Sequence, residues 1–304
     1  MKSVQILLSS YNGEAFIREQ LDSLLRQEGV DFQILVRDDG SHDATRAILA
    51  EYAQKYPCIS WYSGDNLGPG GSFMDLLRRA GGADYYAFAD QDDVWDADKL
   101  ECAVKMLDKL DPAKPAMYHS NLRIVDRDLT YCRLAHGSVH QSTDRYSALI
   151  EPLATGCTMV FNRAAVETVN AADTDGIVLH DSWVCLICSL FGSVVYDFEP
   201  HISYRQHGGN VVGTYLHHRT AKVFLLRLRR LFDRNKQPRR ENAVRLLKYY
   251  GERLSPKDRE KIEELANYKD SLKNRCKLLF DRELRGFTLE RELSYRVLIL
   301  LGLI

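Results

Sequence analysis

Long hydrophobic runs and a strong net charge are both missing from this chain. No stretch of the sequence reaches the roughly 20 consecutive apolar residues that a membrane-spanning helix needs, and the formal net charge is −1 over 304 residues. A signal-peptide pattern is also missing from the N-terminus, so we expect a cytoplasmic protein without a transmembrane helix. The nearly neutral charge argues against nucleic acid as a partner.

Paired cysteine motifs are nearly missing as well. The seven cysteines are irregularly spaced, and Cys185 and Cys188 form the only C-x-x-C pair. This pair lies in an apolar segment, residues 183–191, and no second pair completes a zinc site. Two small apolar residues on a core helix therefore explain the pair better than a redox or metal motif. The irregular spacing favours reduced thiols, as in the cytoplasm.

What the chain does have is a regular alternation of strand and helix patterns in its first hundred residues. The apolar spacing predicts strands at 4–8, 32–36, 59–62 and 85–89, with helices at 15–27, 44–56 and 72–80. This order predicts an α/β fold with a mainly parallel sheet flanked by helices. Further on, we expect strands at 117–125, 155–161 and 193–196, a loop at 126–144, and helices at 162–170 and from residue 180.

The character of the chain changes near residue 215. Residues 223–232 have the pattern of a basic amphipathic helix, and further helices are predicted at 242–254, 257–280 and 290–301. We therefore predict a catalytic domain at 1–214 and a helical extension at 215–304. The basic helix and an apolar tail at 297–304 suit peripheral contact with the inner face of the cell membrane. Packing on the first domain, or on a second subunit of a homo-oligomer, explains the same pattern.

Three polar motifs each follow a predicted strand. They are SSYNG at residues 9–13, DDGS at 38–41 and DQDD at 90–93. Because ligands of parallel α/β sheets bind beyond the carboxyl ends of the strands, we expect these motifs to converge on one site.

The third motif carries the clearest chemistry, since Asp90, Asp92 and Asp93 place three carboxylates within four residues. Carboxylates this close raise each other's pKa unless a cation lies among them. Oxygen ligands at a strand end suit Mg²⁺ or Mn²⁺, which commonly carry the phosphates of a substrate. A solvated acidic turn, or a cap for a helix starting near Asp96, is the plainer alternative, and the preceding strand and the other two motifs favour the metal.

The DDGS motif has two interpretations. Its carboxylates can accept hydrogen bonds from a nucleobase or ribose, or they can form a turn that caps the following helix. Haloacid-dehalogenase phosphatases carry D-x-D-G-T after their first strand, but the position two before Asp39 is Arg37, so the nucleophilic aspartate of that class is missing.

The ordered set of three motifs resembles the family 2 inverting glycosyltransferases of the GT-A fold. The resemblance continues to about residue 213 through Gly156, HDSW at 180–183 and YRQHGGN at 204–210, and it is strongest to bacterial rhamnosyltransferase-like members. It implies metal-dependent transfer of a sugar from a nucleotide-sugar donor, with dTDP-L-rhamnose as the best guess. The implied acceptor is a saccharide or a lipid-linked acceptor of bacterial surface polysaccharide synthesis.

The resemblance also implies roles for individual residues on the donor side. Ser10 and Tyr11 would line the nucleobase pocket, and Asp39 would contact the base or the ribose. Asp92 and Asp93 would bind the ribose and the Mg²⁺ or Mn²⁺ on the diphosphate. Residues 66–68 (NLG) lie where the family often has a donor-site loop.

Asp90, the leading acid of its motif, ranks behind Asp92 as a ligand. Asp181 aligns with the catalytic base of the family, although an N-cap of the helix 182–190 is an alternative that can coexist with that role. Arg205 would lie near the diphosphate and His207 on the metal. A surface arginine and a hydrogen-bonded loop histidine are the alternatives for these two residues.

Two other classes compete with this interpretation. A nucleotidyltransferase of related fold usually has a Gly-rich loop with Arg or Lys after its first strand, and SSYNG is not such a loop. A non-catalytic sugar-nucleotide-binding protein would not need intact Asp92, Asp93 and Asp181.

Overall fold

The computed structural model describes residues 1–135, 145–151, 154–207, 238–284 and 289–304. These residues fall into two compact units. The first contains residues 1–135 and 154–207, and the second contains residues 145–151, 238–284 and 289–304. The division into a catalytic domain at 1–214 and an extension at 215–304 stays a prediction.

The first half of the first unit is a parallel α/β layer. Its strands are β1 (Ser3–Ser10), β2 (Asp31–Asp38), β3 (Ile59–Ser63) and β4 (Tyr85–Ala89), and they lie in the order β3-β2-β1-β4 with every pair parallel. The connecting helices are α1 (Ile17–Leu24), α2 (Thr45–Lys55) and α3 (Gly68–Arg79). All five residues of β4 are buried, as expected for a strand covered on both faces of a parallel sheet.

The second half of the sheet is mixed. Its strands are β5 (Val94–Trp95), β6 (Ala116–Val125), β7 (Tyr131–Leu134), β8 (Val160–Asn162) and β9 (Ser193–Arg205). The strand β8 lies antiparallel between β4 and β6, whereas β9 runs parallel to β6 and antiparallel to β5. The helices here are α4 (Lys99–Leu107), α6 (Arg163–Asn170) and α7 (His180–Phe191), and α5 (Ser147–Ile150) belongs to the second unit. The predicted α/β fold with flanking helices is therefore confirmed, and its sheet is parallel from β3 to β4.

Four predicted segments differ from the structure. The strand expected at 155–161 is a 3₁₀ turn, Gly156–Thr158, followed by the short β8. The strand expected at 193–196 continues to Arg205, since β9 pairs with β6 along most of its length. The predicted loop at 126–144 contains β7, and residues 136–144 lie outside the described part of the chain. The helix expected at 257–280 is interrupted after Ala266, and the Ser271 hydroxyl caps a new helix by accepting a hydrogen bond from the Asn274 N–H.

The second unit is helical. Besides α5 it contains α8 (Pro238–Tyr250), α9 (Pro256–Ala266), α10 (Leu272–Phe280) and α11 (Leu289–Leu301). The phenol of Tyr146 donates to Asp258 Oδ1 at 2.9 Å and so ties residues 145–151 to α9. The basic helix expected at 223–232 lies outside the described residues. Among the helices that the structure describes, none is both long and apolar enough to cross a bilayer.

The register of the parallel strands decides where the site lies. Ser10 is paired with Asp38, and Leu8 with Ala89, so the strands β1, β2 and β4 end at the same edge of the sheet. The three polar motifs begin at this edge, as their positions after the strands predict.

Candidate functional site

The loop after β1 is held against the acidic motif by a two-way backbone contact. The amide of Tyr11 donates to Gln91 Oε1 at 2.8 Å, and Gln91 Nε2 donates back to the Tyr11 carbonyl at 3.0 Å. The Tyr11 side chain is 43% exposed, whereas Ser10 is buried with its hydroxyl 3.5 Å from the Arg37 carbonyl. The Tyr11 ring is therefore accessible from solvent, whereas Ser10 is not, and their predicted contacts with a nucleobase stay predictions.

Asp39 is a buried anchor for the loop that precedes α3. Its carboxylate accepts hydrogen bonds from the backbone amides of Leu67 at 2.8 Å and Gly68 at 2.9 Å, and it pairs with the Arg37 guanidinium. A carboxylate has about four acceptor positions, so these three donors leave room for one further hydrogen bond. The predicted contact to a base or ribose fits that remaining position, and the loop at 66–68 lies beside it.

Asp38, its neighbour, has the other role that the sequence allowed. It accepts hydrogen bonds from the Ser41 amide at 3.2 Å and from the Ser63 hydroxyl at 2.7 Å, and it is fully buried. Asp38 thus forms the turn, and Asp39 faces the loop 66–68.

Arg37 is a residue of this site that the sequence interpretation used only to exclude a phosphatase. Its side chain is 3% exposed and contacts the carboxylates of Asp39 and Asp75, the latter at 3.1 Å. It also donates to the Asp65 carbonyl at 2.8 Å. The signal was present, because an arginine in an otherwise apolar buried strand needs anionic partners.

The three carboxylates of the DQDD motif have different surroundings. Asp92 Oδ2 lies 2.7 Å from His207 Nε2, and the His207 ring lies 4.7 Å from the Phe16 ring. Asp93 is fully buried and accepts a hydrogen bond from the Arg205 amide at 3.1 Å. The structure thus brings Asp92 and His207 together, whereas the Asp93 carboxylate forms a buried group with Asp90 and Cys157 within 4.8 Å.

Arg205 is buried, so the alternative of a surface arginine is wrong. Its Nε donates to the Asp92 carbonyl at 2.8 Å, and its guanidinium also pairs with Glu19 and donates to the Arg127 carbonyl. These contacts fix the acidic loop to the end of β9. Its predicted role beside a diphosphate stays a prediction.

The acidic motif carries more negative charge than its surroundings stabilise. Burial, followed by the charges of Asp92 and Asp181, raises the pKa of Asp90 to about 7. Burial and the charges of Asp92 and Asp90 also raise the pKa of Asp93. The buried ammonium of Lys99 lies near Asp93, but burial lowers its own pKa to about 7.

A divalent cation fits this site on chemical grounds. A cation reverses the mutual repulsion that raises these pKa values. Asp92 would supply an oxygen ligand and His207 a nitrogen ligand, since Asp92 Oδ2 and His207 Nε2 lie 2.7 Å apart. Mn²⁺ accepts both ligand types, whereas Mg²⁺ favours oxygen.

Asp181 lies in the first turn of α7, after the helix has begun at His180, so the N-cap alternative is wrong. Its Oδ1 accepts a hydrogen bond from the Ser182 amide at 2.7 Å, and the Gly156 amide also bonds to its carboxylate. Burial raises the pKa of Asp181 to about 6. Asp181 lies close to the acidic motif, because a Cβ on Gly156 would be 3.6 Å from the Asp181 Cβ, and the next residue, Cys157, lies within 4.8 Å of Asp90 and Asp93.

His180, the residue before Asp181, is held in place by two aromatic rings. Its ring stacks on Phe73 with a centroid distance of 4.0 Å and meets the edge of Phe88 at 4.8 Å. Burial lowers the pKa of His180 to about 3, so the ring is neutral at physiological pH. Gly156 is needed here, because a Cβ at this position would lie 2.7 Å from His180 Nε2.

One edge of the sheet therefore presents an exposed aromatic ring, a cluster of carboxylates beside a histidine, and Asp181 with an elevated pKa. Such a cluster suits a cation that carries phosphate groups, and a carboxylate such as Asp181 can take a proton from a second substrate.

Known proteins are similar to this chain in sequence. The family model for glycosyl transferase family 2 matches residues 5–169. The dTDP-rhamnosyl transferase RfbG of Shigella flexneri is 31% identical over 223 residues, which are 68% of this chain and 73% of that protein. The uncharacterized glycosyltransferase RT0329 of Rickettsia typhi is 25% identical over 217 residues, or 70% of this chain and 67% of that protein.

Solved structures have the same fold. S. aureus TarS 1-349 in complex with UDP-GlcNAc gives a TM-score of 0.55 at 17% identity, with 99% of this chain and 80% of that chain covered. The mannosyltransferase PcManGT from Pyrobaculum calidifontis, in complex with GDP-Man and Mn²⁺, gives 0.51 at 18% identity over 99% and 80% of the two chains.

Proposed function

Because the chain belongs to glycosyl transferase family 2 and is a glycosyltransferase, we propose that it transfers a sugar from a nucleotide-sugar donor to an acceptor hydroxyl in one inverting, metal-dependent displacement. The observation that carries this proposal is the convergence of Asp39, Asp92 and Asp181 at one edge of the sheet. Two of these carboxylates serve the donor, and the third faces the acceptor.

The proposed displacement needs a base but no enzyme nucleophile. As the bond between the anomeric carbon and the diphosphate oxygen breaks, the acceptor oxygen attacks from the opposite face and Asp181 takes its proton. A free aspartate has a pKa of about 3.9, and burial raises the pKa of Asp181 to about 6. Asp181 is thus a stronger base than a free carboxylate and is still mostly ionised at neutral pH.

The donor side has to bind a nucleoside diphosphate and stabilise its departure. Asp92, Asp93 and His207 would hold Mn²⁺ or Mg²⁺, and such an ion stabilises the charge that develops on a leaving diphosphate. Asp39 has one acceptor position left for the nucleoside, and the exposed ring of Tyr11 can stack on the base. Arg205 holds the acidic loop through the Asp92 carbonyl.

We further propose dTDP-L-rhamnose as the donor and a saccharide or lipid-linked acceptor of bacterial surface polysaccharide synthesis. The support is the 31% identity to a dTDP-rhamnosyl transferase over 68% of this chain. For the location we propose the cytoplasm, with peripheral contact at the membrane through the C-terminal region or self-association through the same region. The support is an exposed apolar stripe on α11, formed by Leu293, Val297, Leu300 and Leu301.

A binding and product experiment tests the proposed function. Calorimetric titration with dTDP, UDP and GDP, each with and without Mn²⁺, should give the tightest binding for dTDP with metal. Incubation with dTDP-L-rhamnose and a panel of acceptors should release dTDP, and NMR of the product should show an anomeric configuration opposite to that of the donor. Binding that is indifferent to metal would remove the proposed role of Asp92 and His207, and a retained configuration would rule out the single displacement.

A further inference from the structure

A second group of metal-ligating side chains lies apart from the DQDD motif. It consists of Asp98, Cys102 and His201, whose ligand atoms all lie within 4.8 Å of one another. The group offers one oxygen, one sulfur and one nitrogen. None of its members has a role in the glycosyl transfer proposed above.

Two neighbouring elements bring these residues together. Asp98 immediately precedes α4 and Cys102 lies one turn further, with its amide donating to the Asp98 carbonyl at 2.9 Å. The strand β9 places His201 Nδ1 at 3.0 Å from Asp98 Oδ1, while Cys102 Sγ lies 3.7 Å from Asp98 Oδ2. Tetrahedral Zn²⁺ with bonds of about 2.0–2.3 Å holds its ligand atoms roughly 3.5 Å apart. The side chains therefore need only small adjustments to enclose such an ion.

The histidine is oriented as metal-bound histidines usually are. With Nδ1 directed at Asp98, its other ring nitrogen, Nε2, lies 3.4 Å from Asp197 Oδ2. Asp197 in turn accepts a hydrogen bond from the Tyr118 hydroxyl at 3.0 Å. A carboxylate behind the distal nitrogen fixes the tautomer and the ring plane of a metal-ligating histidine. His201 is 8% exposed, so its ring has little freedom to turn away.

The alternative is a protonated His201 paired with both aspartates and no ion. That arrangement satisfies Asp98 and Asp197 but gives the thiol of Cys102 no function. The Cys102 sulfur lies 3.7 Å from Asp98 Oδ2, so it faces the same carboxylate that the imidazole contacts. Together with the thiol, the aspartate and histidine form a ligand set that suits Zn²⁺, whereas Mg²⁺ takes oxygen ligands.

We propose that Asp98, Cys102 and His201 bind a Zn²⁺ ion, with a water molecule as the fourth ligand. The ion would join the start of α4 to β9 next to the pairing of Val94 with Ser203 and of Trp95 with Ile202. The strand β9 continues to Arg205, and β5 directly follows the DQDD motif. The ion would therefore hold together the two segments whose ends carry the donor site. This inference stands independently of the proposed function.

Metal titration of the full chain tests the proposal. Protein freed of metal with a chelator is titrated with Co²⁺, and the thiolate-to-Co²⁺ charge-transfer absorption is recorded, followed by displacement with Zn²⁺. The wild type should show this band at one equivalent and lose it on addition of Zn²⁺. Asp92→Asn should keep the band, because it alters only the donor site, and Cys102→Ser should lose it. Cys58→Ser is the matched control, since Cys58 is also partly buried, and it should behave as the wild type.

Two further variants separate ligation from folding. His201→Gln should also abolish the band, and Asp197→Asn should weaken Zn²⁺ binding roughly 10- to 100-fold, as loss of an outer hydrogen-bond partner does. Circular dichroism shows whether each variant is folded, and the three variants at Cys102, His201 and Asp197 keep the test decisive if one of them is not. The proposal is overturned if the wild type shows no thiolate band, if the band survives Cys102→Ser, or if Asp92→Asn removes it.

Discussion

His207 Nε2 lies 2.7 Å from Asp92 Oδ2, although 115 positions separate the two residues in the chain. The contact joins the loop that follows β4 to the end of β9, on the two sides of the mixed half of the sheet. It places an imidazole nitrogen at a carboxylate of the DQDD motif. Substitution of His207 in this pair therefore gives a direct test of metal binding at the site.

Replacing His207 with glutamine should weaken Mn²⁺ binding by about 10- to 100-fold, because a nitrogen ligand is lost while Asp92 remains. The effect on Mg²⁺ should be smaller, since Mg²⁺ prefers oxygen ligands. Titration calorimetry of the chain with each metal in the presence of dTDP measures both effects. His42→Gln, at an exposed histidine, serves as the control. Equal Mn²⁺ affinity in wild type and H207Q would show that His207 merely pairs with Asp92.

The parallel half of the fold could be predicted because its signals are local. Each strand from β1 to β4 is an apolar run bounded by polar residues, and each helix between them has an apolar face. Short segments of the sequence are therefore enough to predict the alternation of strands and helices. The polar motifs at the strand ends could be placed for the same reason, since the end of a parallel strand fixes the edge of the sheet on which a residue lies.

The mixed half depends on contacts between distant residues, which no short window contains. Nothing in residues 155–161 distinguishes a buried strand from a 3₁₀ turn followed by β8, because both bury small and apolar side chains. The separate surroundings of Asp92 and Asp93 likewise follow from the approach of Arg205 and His207, more than 110 positions away. Arg37 is an intermediate case, because it directly follows the predicted strand 32–36 and the structure extends that strand to Asp38.

Asp181→Asn should reduce kcat/KM about 10²- to 10⁴-fold while leaving dTDP affinity unchanged, because the base is lost and the donor side is intact. In the wild type, kcat/KM at saturating Mn²⁺ should rise with pH and level off above about pH 6, the pKa to which burial raises Asp181. Only the ionised carboxylate accepts the acceptor proton, so the rate should fall about tenfold per pH unit below that value. Initial rates of dTDP release, measured from about pH 4.5 to about pH 8, give the profile.

The stability of the same variant provides an independent check. The folded-state pKa of Asp181 is about 6, above the ordinary value of 3.8, so the folded protein binds this proton more tightly than the unfolded chain does. Its ionised form therefore disfavours folding, and stability is lost as pH rises from the lower value to the higher one. Asp181→Asn should melt at a higher temperature than the wild type above pH 6 and lose this advantage near pH 3.8. At pH 8, roughly two units above that pKa, a lower melting temperature for Asp181→Asn than for the wild type would contradict the burial of the charge.

Arg37→Met should destabilise the first unit by about 3–5 kcal/mol, because it leaves the carboxylates of Asp39 and Asp75 without their buried cation. Urea unfolding followed by fluorescence measures the change. Arg79 is a matched control, since its Nε also lies 3.2 Å from Asp75 Oδ2, but its side chain is 59% exposed. Arg79→Met should cost only about 0–1 kcal/mol. Similar losses for the two variants would mean that Arg37 does not hold Asp39 in place.

Gly156→Ala tests whether the position of Asp181, rather than its charge alone, supports transfer. A Cβ at residue 156 would lie 2.7 Å from His180 Nε2 and 3.6 Å from the Asp181 Cβ. The His180 ring is stacked on Phe73 and meets the edge of Phe88, so it cannot swing aside without moving the start of α7. Transfer should therefore fall while binding of dTDP and Mn²⁺ is retained, because the atoms that an added Cβ would meet belong to His180 and Asp181 and not to the DQDD motif.

Gly82→Ala is the matched control for this variant, since a Cβ at residue 82 meets nothing within 4 Å. It should leave both transfer and binding at the level of the wild type. The informative comparison is kcat against dTDP affinity in the two variants, measured on the same preparations. A loss of dTDP affinity in Gly156→Ala that matches its loss of kcat would mean that the 3₁₀ turn supports the donor site as well. Unchanged kcat would mean that the turn yields to the added methyl group and does not position Asp181.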